Sequence, residues 1–97
     1  MKPTTKSTNG TSFHDVTFEA SINQLIGIFG EPTIQDNTGR DKCNFDWSLQ
    51  TFNGDVFTVY DWKEYRKLEM DEIIEWHIGA FSQSISLNAK EEVMSAL

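Results

Sequence analysis

Residues 14–20 alternate, with Val16, Phe18 and Ala20 apolar and Asp15, Thr17 and Glu19 polar. A period of two predicts a strand that buries one face. The period then changes. Ser21-Ile22-Asn23-Gln24 has the form of a capping box, in which the Ser and Gln side chains satisfy backbone N–H groups at a helix start. Ile22, Leu25, Ile26 and Phe29 follow at helical spacing. Gly30 is expected as a left-handed C-cap, and Pro32 forbids continuation. Residues 33–40 are polar, contain Gly39, and read as a loop.

Residues 41–63, DKCNFDWSLQTFNGDVFTVYDWK, form an aromatic hairpin whose register decides which side chains are free. A two-residue turn at Asn53-Gly54 would set Asp46 opposite Asp61, two like charges face to face. A three-residue loop, Phe52-Asn53-Gly54 with Gly54 left-handed, sets Leu49 opposite Phe57 and Trp47 opposite Val59. The second register gathers Phe45, Trp47, Leu49, Phe57 and Val59 on one apolar face. Asn44, Asp46, Ser48, Gln50, Val56, Thr58, Tyr60 and Trp62 fall on the other. A one-residue slip would mix the two sets, so the three-residue loop is preferred.

Residues 64–72, EYRKLEMDE, show no apolar period and predict an exposed, charged loop. Alternation resumes with Ile74, Trp76 and Ile78 against Glu75 and His77, a strand expected to stop or bend at Gly79. Residues 84–87 predict a short fourth strand with Ile85 and Leu87 inward. Asn88 with Glu91 repeats the capping pattern and predicts a helix over 89–97 that buries Val93, Met94 and Leu97. Residues 1–12 lack any period and predict a flexible arm before a single domain at 13–97. The sum is an α+β fold of two layers: an antiparallel sheet of four or so strands packed by a helix in the N-terminal half and a C-terminal helix.

Composition narrows the function classes. With 97 residues there is room for one core. Fifteen acids against eight Lys plus Arg give a formal charge of −7, which argues against direct nucleic-acid binding. Cys43 is the single cysteine, so no disulfide forms within the chain, which suits a reducing compartment. The first residues carry no apolar leader pattern and no 18-residue apolar run occurs, so neither a membrane segment nor secretion is expected. The sequon Asn9-Gly10-Thr11 is accordingly read as chance.

Chemistry is sparse. His14 and His77 are 63 positions apart, with no Cys or carboxylate at zinc-ligand spacing, so no metal and no cofactor is expected. Ser82, Ser84 and Cys43 sit in no nucleophile context, which argues against an enzyme. Tyr60-Asp61-Trp62-Lys63 is the richer segment. One reading makes Tyr60, Trp62 and His77 structural, closing a sheet edge or lying under the last helix. The other makes them a stacking platform, with Asn44, Asp46 and Asp61 offering hydrogen bonds. Lys63, Arg66 and Lys67 then form the one basic cluster, a solvated loop or an anion clamp.

Gly10-Thr11-Ser12, Phe29-Gly30-Glu31-Pro32, Trp47, Gly54-Asp55-Val56, residues 58–63 (TVYDWK) and residues 75–79 (EWHIG) occur here in one order. As a set they resemble a group of small phage-encoded proteins of unsettled function. Those read GTS, FGEP, a W…DG-x-V-x-TIYDWK hairpin and WHIGG. The chain departs from them at Asn53, where an Asp is usual, and at Ala80, where a second Gly is usual. The resemblance implies a phage accessory protein acting in the host cytoplasm, of the kind that counters host defence.

Three readings follow. The first is a non-enzymatic protein that sequesters a small anionic ligand, a nucleotide, on Tyr60, Trp62, Trp76 and His77 with Lys63 or Arg66, the arm at Thr11 and Ser12 folding over it. The second is an acidic inhibitor that occupies a basic site on a host defence protein or nuclease. It would gather Asp46, Asp55, Asp61, Glu64, Glu69, Asp71, Glu72 and Glu75 on one open face, whereas a sequestering protein needs a concave aromatic pocket with a basic lip. The third, a structural phage component, has no positive sign in the chain. A homo-oligomer stays open in each.

Overall fold

A computed structural model describes all residues, Met1–Leu97. The elements run β1 (Lys2–Pro3), β2 (Ser12–Ala20), α1 (Ile22–Phe29), β3 (Ile34–Gln35), β4 (Phe45–Gln50), β5 (Val56–Tyr60), β6 (Ile74–Ala80) and α2 (Gln83–Ala96). All strands join one antiparallel sheet in the order β1-β4-β5-β6-β2, and β3 pairs beside β1 on the outer edge of β4. The fold is α+β in two layers, with six strands. No helix is long and apolar enough to cross a membrane.

The hairpin adopts the three-residue loop. Trp47 pairs with Val59 and Leu49 with Phe57. Thr51 N–H donates to Asp55 O at 2.9 Å, Gly54 N–H donates to Thr51 O at 2.9 Å, and Gly54 has φ +85°. Phe45, Trp47, Leu49, Phe57 and Val59 are accordingly buried, on the same side as Val16, Phe18, Trp76 and Ile78. Both helices pack on that side: Leu25 and Phe29 from α1, Ala89 and Val93 from α2. The Ser21–Gln24 capping box is formed, with Gln24 N–H donating to Ser21 Oγ at 3.1 Å and Ser21 N–H to Gln24 Oε1 at 2.8 Å. Trp47 donates its indole N–H to Gly30 O at 2.9 Å, which ties the end of α1 to the sheet.

Several expectations need correction. Gly30 takes φ +81° but ψ −160°, a glycine-favoured conformation outside the left-handed helical well. Residues 34–35 of the expected loop pair with β4. The strand expected at 84–87 is helical. α2 starts from Ser82, whose side chain accepts from Ile85 N–H at 3.2 Å, rather than from Asn88. It buries Ser86, Ala89 and Val93, while Met94 and Leu97 stay largely exposed. The charged loop is not wholly exposed, because Leu68 is buried. Asn37 holds Leu68 from both sides, its Nδ2 donating to Leu68 O at 2.9 Å and its Oδ1 accepting from Leu68 N–H at 2.7 Å.

The N-terminal stretch differs most. Lys2 and Pro3 pair with Gln50 and Leu49, and Thr4 N–H donates to Ser48 O at 3.1 Å. The Met1 ammonium lies 3.5 Å from Glu92. Because β1 and β2 lie at opposite edges of the sheet, residues 4–11 cross it as a strap at the hairpin end. Thr11 N–H and Oγ1 both donate to Thr8 O, closing a turn around Gly10 at φ +88°.

Candidate functional site

The sheet face away from the helices carries a strip of aromatic rings. Phe13 stacks on His77 at 4.1 Å between centroids, and His77 meets Tyr60 at 5.5 Å and Trp62 at 6.3 Å. Register explains the order. Tyr60 pairs with His77 and His77 with Thr17, while Phe13 lies opposite Gly79 and its ring stacks on His77. An irregularity in the β2–β6 pairing between Phe13 and Thr17, with Asp15 at φ +63°, lets Phe13 reach the strip.

Beside the strip lies a cavity of about 260 Å3. Tyr60, Trp62 and Thr58 form one side, Cys43 and Asp46 another, and Thr8, Thr11 and Ser12 of the strap close it. Gly79 shapes its floor. The strand does not stop or bend there but runs on to Ala80. A Cβ at residue 79 would lie 2.6 Å from Thr58 Oγ1 and 3.4 Å from Tyr60 Cε1, so only glycine leaves the hollow open.

Positive charge stands at the rim. Lys42 Nζ and Lys63 Nζ lie 5.7 and 5.5 Å from the Trp62 ring centroid. The chain turns sharply after Trp62: Lys63 has φ +55°, and its N–H donates to Lys42 O at 2.7 Å. Negative charge stands in the wall. Burial, reinforced by Asp61, pushes the Asp46 carboxyl up to about 6. Burial and the carboxylates of Asp61, Asp46 and Asp41 push the Cys43 thiol up to about 11, away from the thiolate form. Tyr60 is raised, first by burial. His77 is lowered by burial, which outweighs Glu75 Oε1 at 3.9 Å.

Of the residues singled out in the sequence, Thr11, Ser12, Asp46, Tyr60 and Trp62 meet at this cavity, with Lys63 at its rim and His77 behind Tyr60 and Trp62. The others are elsewhere. Trp76 is fully buried against Trp47, its indole N–H donating to Ala20 O at 2.9 Å. Asp61 is buried and accepts from Asn44 N–H at 2.8 Å and Phe45 N–H at 2.8 Å. Burial raises its carboxyl and these bonds oppose the rise. Asn44 is buried too, donating to Asn37 Oδ1 at 2.9 Å and Arg66 O at 2.7 Å. Arg66 is engaged by Glu72 at 2.5 Å, with Glu64 at 3.8 Å, so it is no free anion clamp.

Phe13, Thr8, Cys43, Lys42 and Gly79 escaped the sequence reading as site residues. Gly79 alone had a legible signal, a glycine inside a strand, which marks a close approach. The remainder reach the cavity through pairings across the sheet that one sequence does not display. A larger cavity of about 530 Å3 lies between α1, α2 and the hairpin tip, lined by Ile28, Phe52, Asn88 and Glu92 among others. It offers no stacked aromatic pair, and Glu92 is already taken by the Met1 ammonium and Phe52 N–H. No group of three or more His, Cys, Asp or Glu side chains is placed to hold a metal ion. No protein-family model, no curated protein and no solved structure matches this chain.

Proposed function

We propose that this protein is a non-enzymatic binding protein that sequesters a small nucleotide in the outer-face cavity, as a phage-type accessory acting against host defence in the host cytoplasm. The observation that carries the reading is Trp62. It stands at the mouth of a polar hollow, 39% exposed, with two lysine ammonium groups over its ring. A base stacks on such a ring with about 1–3 kcal/mol of stabilisation. A lysine displaced from the ring by the base has a flexible stem and can meet the phosphate. Thr58, Thr11 and Ser12 supply hydroxyls for the sugar or base edge. The Cys43 thiol, held protonated, supports binding over covalent chemistry. The assignment to phage accessory proteins rests on the sequence resemblance.

The inhibitor reading draws less support. Its eight acids do not share a face: Asp61 is buried on backbone N–H groups, Asp46 lies in the cavity, and Asp55 closes the hairpin turn at Thr51. The test is to release and identify by mass spectrometry any small molecule retained by the purified protein, and to titrate it with mono- and dinucleotides. Binding should quench Trp62 fluorescence and disappear in Trp62→Ala. Failure to retain or bind any nucleotide would overturn the proposal and favour a protein partner.

A further inference from the structure

Among the well-covered carboxylates, Asp46 is set apart by what it lacks. Asp61 accepts from Asn44 and Phe45 N–H groups, and Glu92 holds the Met1 ammonium and accepts from Phe52 N–H. The Asp46 side chain is half-buried in the cavity wall, yet only burial and the neighbouring Asp61 charge act on it, with no hydrogen bond from the chain. A carboxylate so placed is an acceptor without a donor. Its oxygens are not sealed from solvent, so a ligand entering the cavity can bring the donor.

Its place in the cavity defines what could satisfy it. Asp46 pairs with Tyr60 across β4 and β5, so its side chain stands beside the Tyr60 ring on the outer face. Phosphate is repelled there, because Asp61 adds a second negative charge nearby. The lysines at Trp62 place positive charge at the rim, which sends the phosphate outward and the nucleoside inward. At about 260 Å3 the hollow falls just below the roughly 300–1,000 Å3 of pockets that enclose drug-sized ligands, which fits a base or nucleoside with its phosphate outside.

We infer, building on the nucleotide reading above, that Asp46 selects the ligand by accepting two adjacent donors from its nucleoside part. Two oxygens of one carboxylate accept parallel N–H or O–H groups side by side. The N1–H and N2–H2 edge of guanine and the cis-diol of ribose both present that pair. Asp46 thereby sets which nucleotide binds, while Trp62 sets that one binds at all.

Calorimetric titration of the full chain at pH 7.5 with GMP, IMP, AMP and 2′-deoxy-GMP separates the sources. Recognition of the guanine edge predicts that GMP and 2′-deoxy-GMP bind at least about tenfold tighter than IMP and AMP. Recognition of the diol predicts that GMP, IMP and AMP bind alike and 2′-deoxy-GMP at least about tenfold weaker. In either case Asp46→Asn, close in shape, should keep the fold by circular dichroism and erase the preference. If nucleotides bind and Asp46→Asn leaves affinities and rank within about twofold, the selector role fails and the nucleotide reading stands. If all four show no preference, or none binds up to about 1 mM, the inference is overturned. Recovery of a nucleotide by mass spectrometry then decides whether the reading beneath it falls too.

Discussion

One hairpin presents two tryptophans and two carboxylates to opposite fates. On its inner face Trp47 packs edge-on to Trp76 at 5.5 Å and donates its N–H to Gly30 O, and at its open end Asp61 is consumed by two backbone N–H groups. On its outer face Trp62 stays 39% exposed and Asp46 has no donor at all. The residue types are the same and the strands are the same. What differs is closure. The inner face is covered by α1 and α2, so each polar group there needs a partner within the chain. The outer face is covered only by a strap and a strip of rings, and its polar groups are left to something else. A site of recognition is where such incompleteness gathers.

The widest gap between the faces should appear in the tryptophans. Trp76→Ala removes a fully buried ring and strands the Ala20 carbonyl, a loss of about 3–5 kcal/mol. Against a total stability of roughly 5–15 kcal/mol, that variant should melt far below the parent in a thermal scan. Trp62→Ala should shift stability by less than about 1 kcal/mol while losing the solvent-exposed component of tryptophan emission and the ligand. Comparable unfolding in both variants would make Trp62 a core residue and end the comparison.

Next in size is Asp61→Ala. Asn44 and Phe45 N–H groups lose their acceptor in a buried place, which costs about 2 kcal/mol in a urea titration with unchanged slope. The same change should lower the Asp46 pKa in an NMR titration, since Asp61 is the charge that raises it beside burial. An unmoved Asp46 would show that the two carboxylates do not sense one another.

Gly79→Ala tests the hollow itself. The new methyl would meet Thr58 Oγ1 at 2.6 Å, costing roughly 1–2 kcal/mol and closing the cavity floor. Adding Thr58→Ala should return most of the stability, because the nearest clash partner is the Thr side chain and not the backbone. Stability that stays low in the double variant would place the strain in the strand rather than in the hollow.

Much of this contrast could be read in advance, and the reason is local. Period-two alternation and the Gly54 loop set the hairpin register, and the register alone separates Trp47 from Trp62. The Ser21 capping box is complete within four residues. What was missed depends on distance along the chain. Asn44, Asp61 and Trp76 alternate or cluster like site residues, and only contacts with Asn37, Phe45 and Ala20 show that they are structural. The start of α2 was hidden for another reason. Residue Ile85 stands three after Ser82, where a capping box would have Glu or Gln, and Ser84–Leu87 alternate as a strand does. The strap is not legible in the sequence because Lys2 and Pro3 carry no strand pattern of their own and borrow it from β4.

The smallest effect is the sharpest, because it asks whether the outer face keeps a group that the fold would be better without. Asp46 has a pKa of about 6 in the folded chain against an ordinary value of 3.8. Between those values the folded state holds the extra proton, so the contribution of Asp46 makes stability fall as pH rises from about 4 to about 6, and level off above. Asp46→Asn should therefore be more stable than the parent at pH 8 by about 1 kcal/mol, after allowance for a half-exposed, solvent-screened group, and equal to it near pH 4. The groups facing Asp46 do not blur the sign. Cys43 and Tyr60 titrate well above this window, and Asp61 is present in both proteins. Melting temperatures of the two proteins from pH 4 to pH 8 should converge at the acid end. A variant gaining stability at pH 8 and losing its choice among nucleotides would mark Asp46 as kept for its ligand; a variant losing stability at pH 8 would return it to the structure.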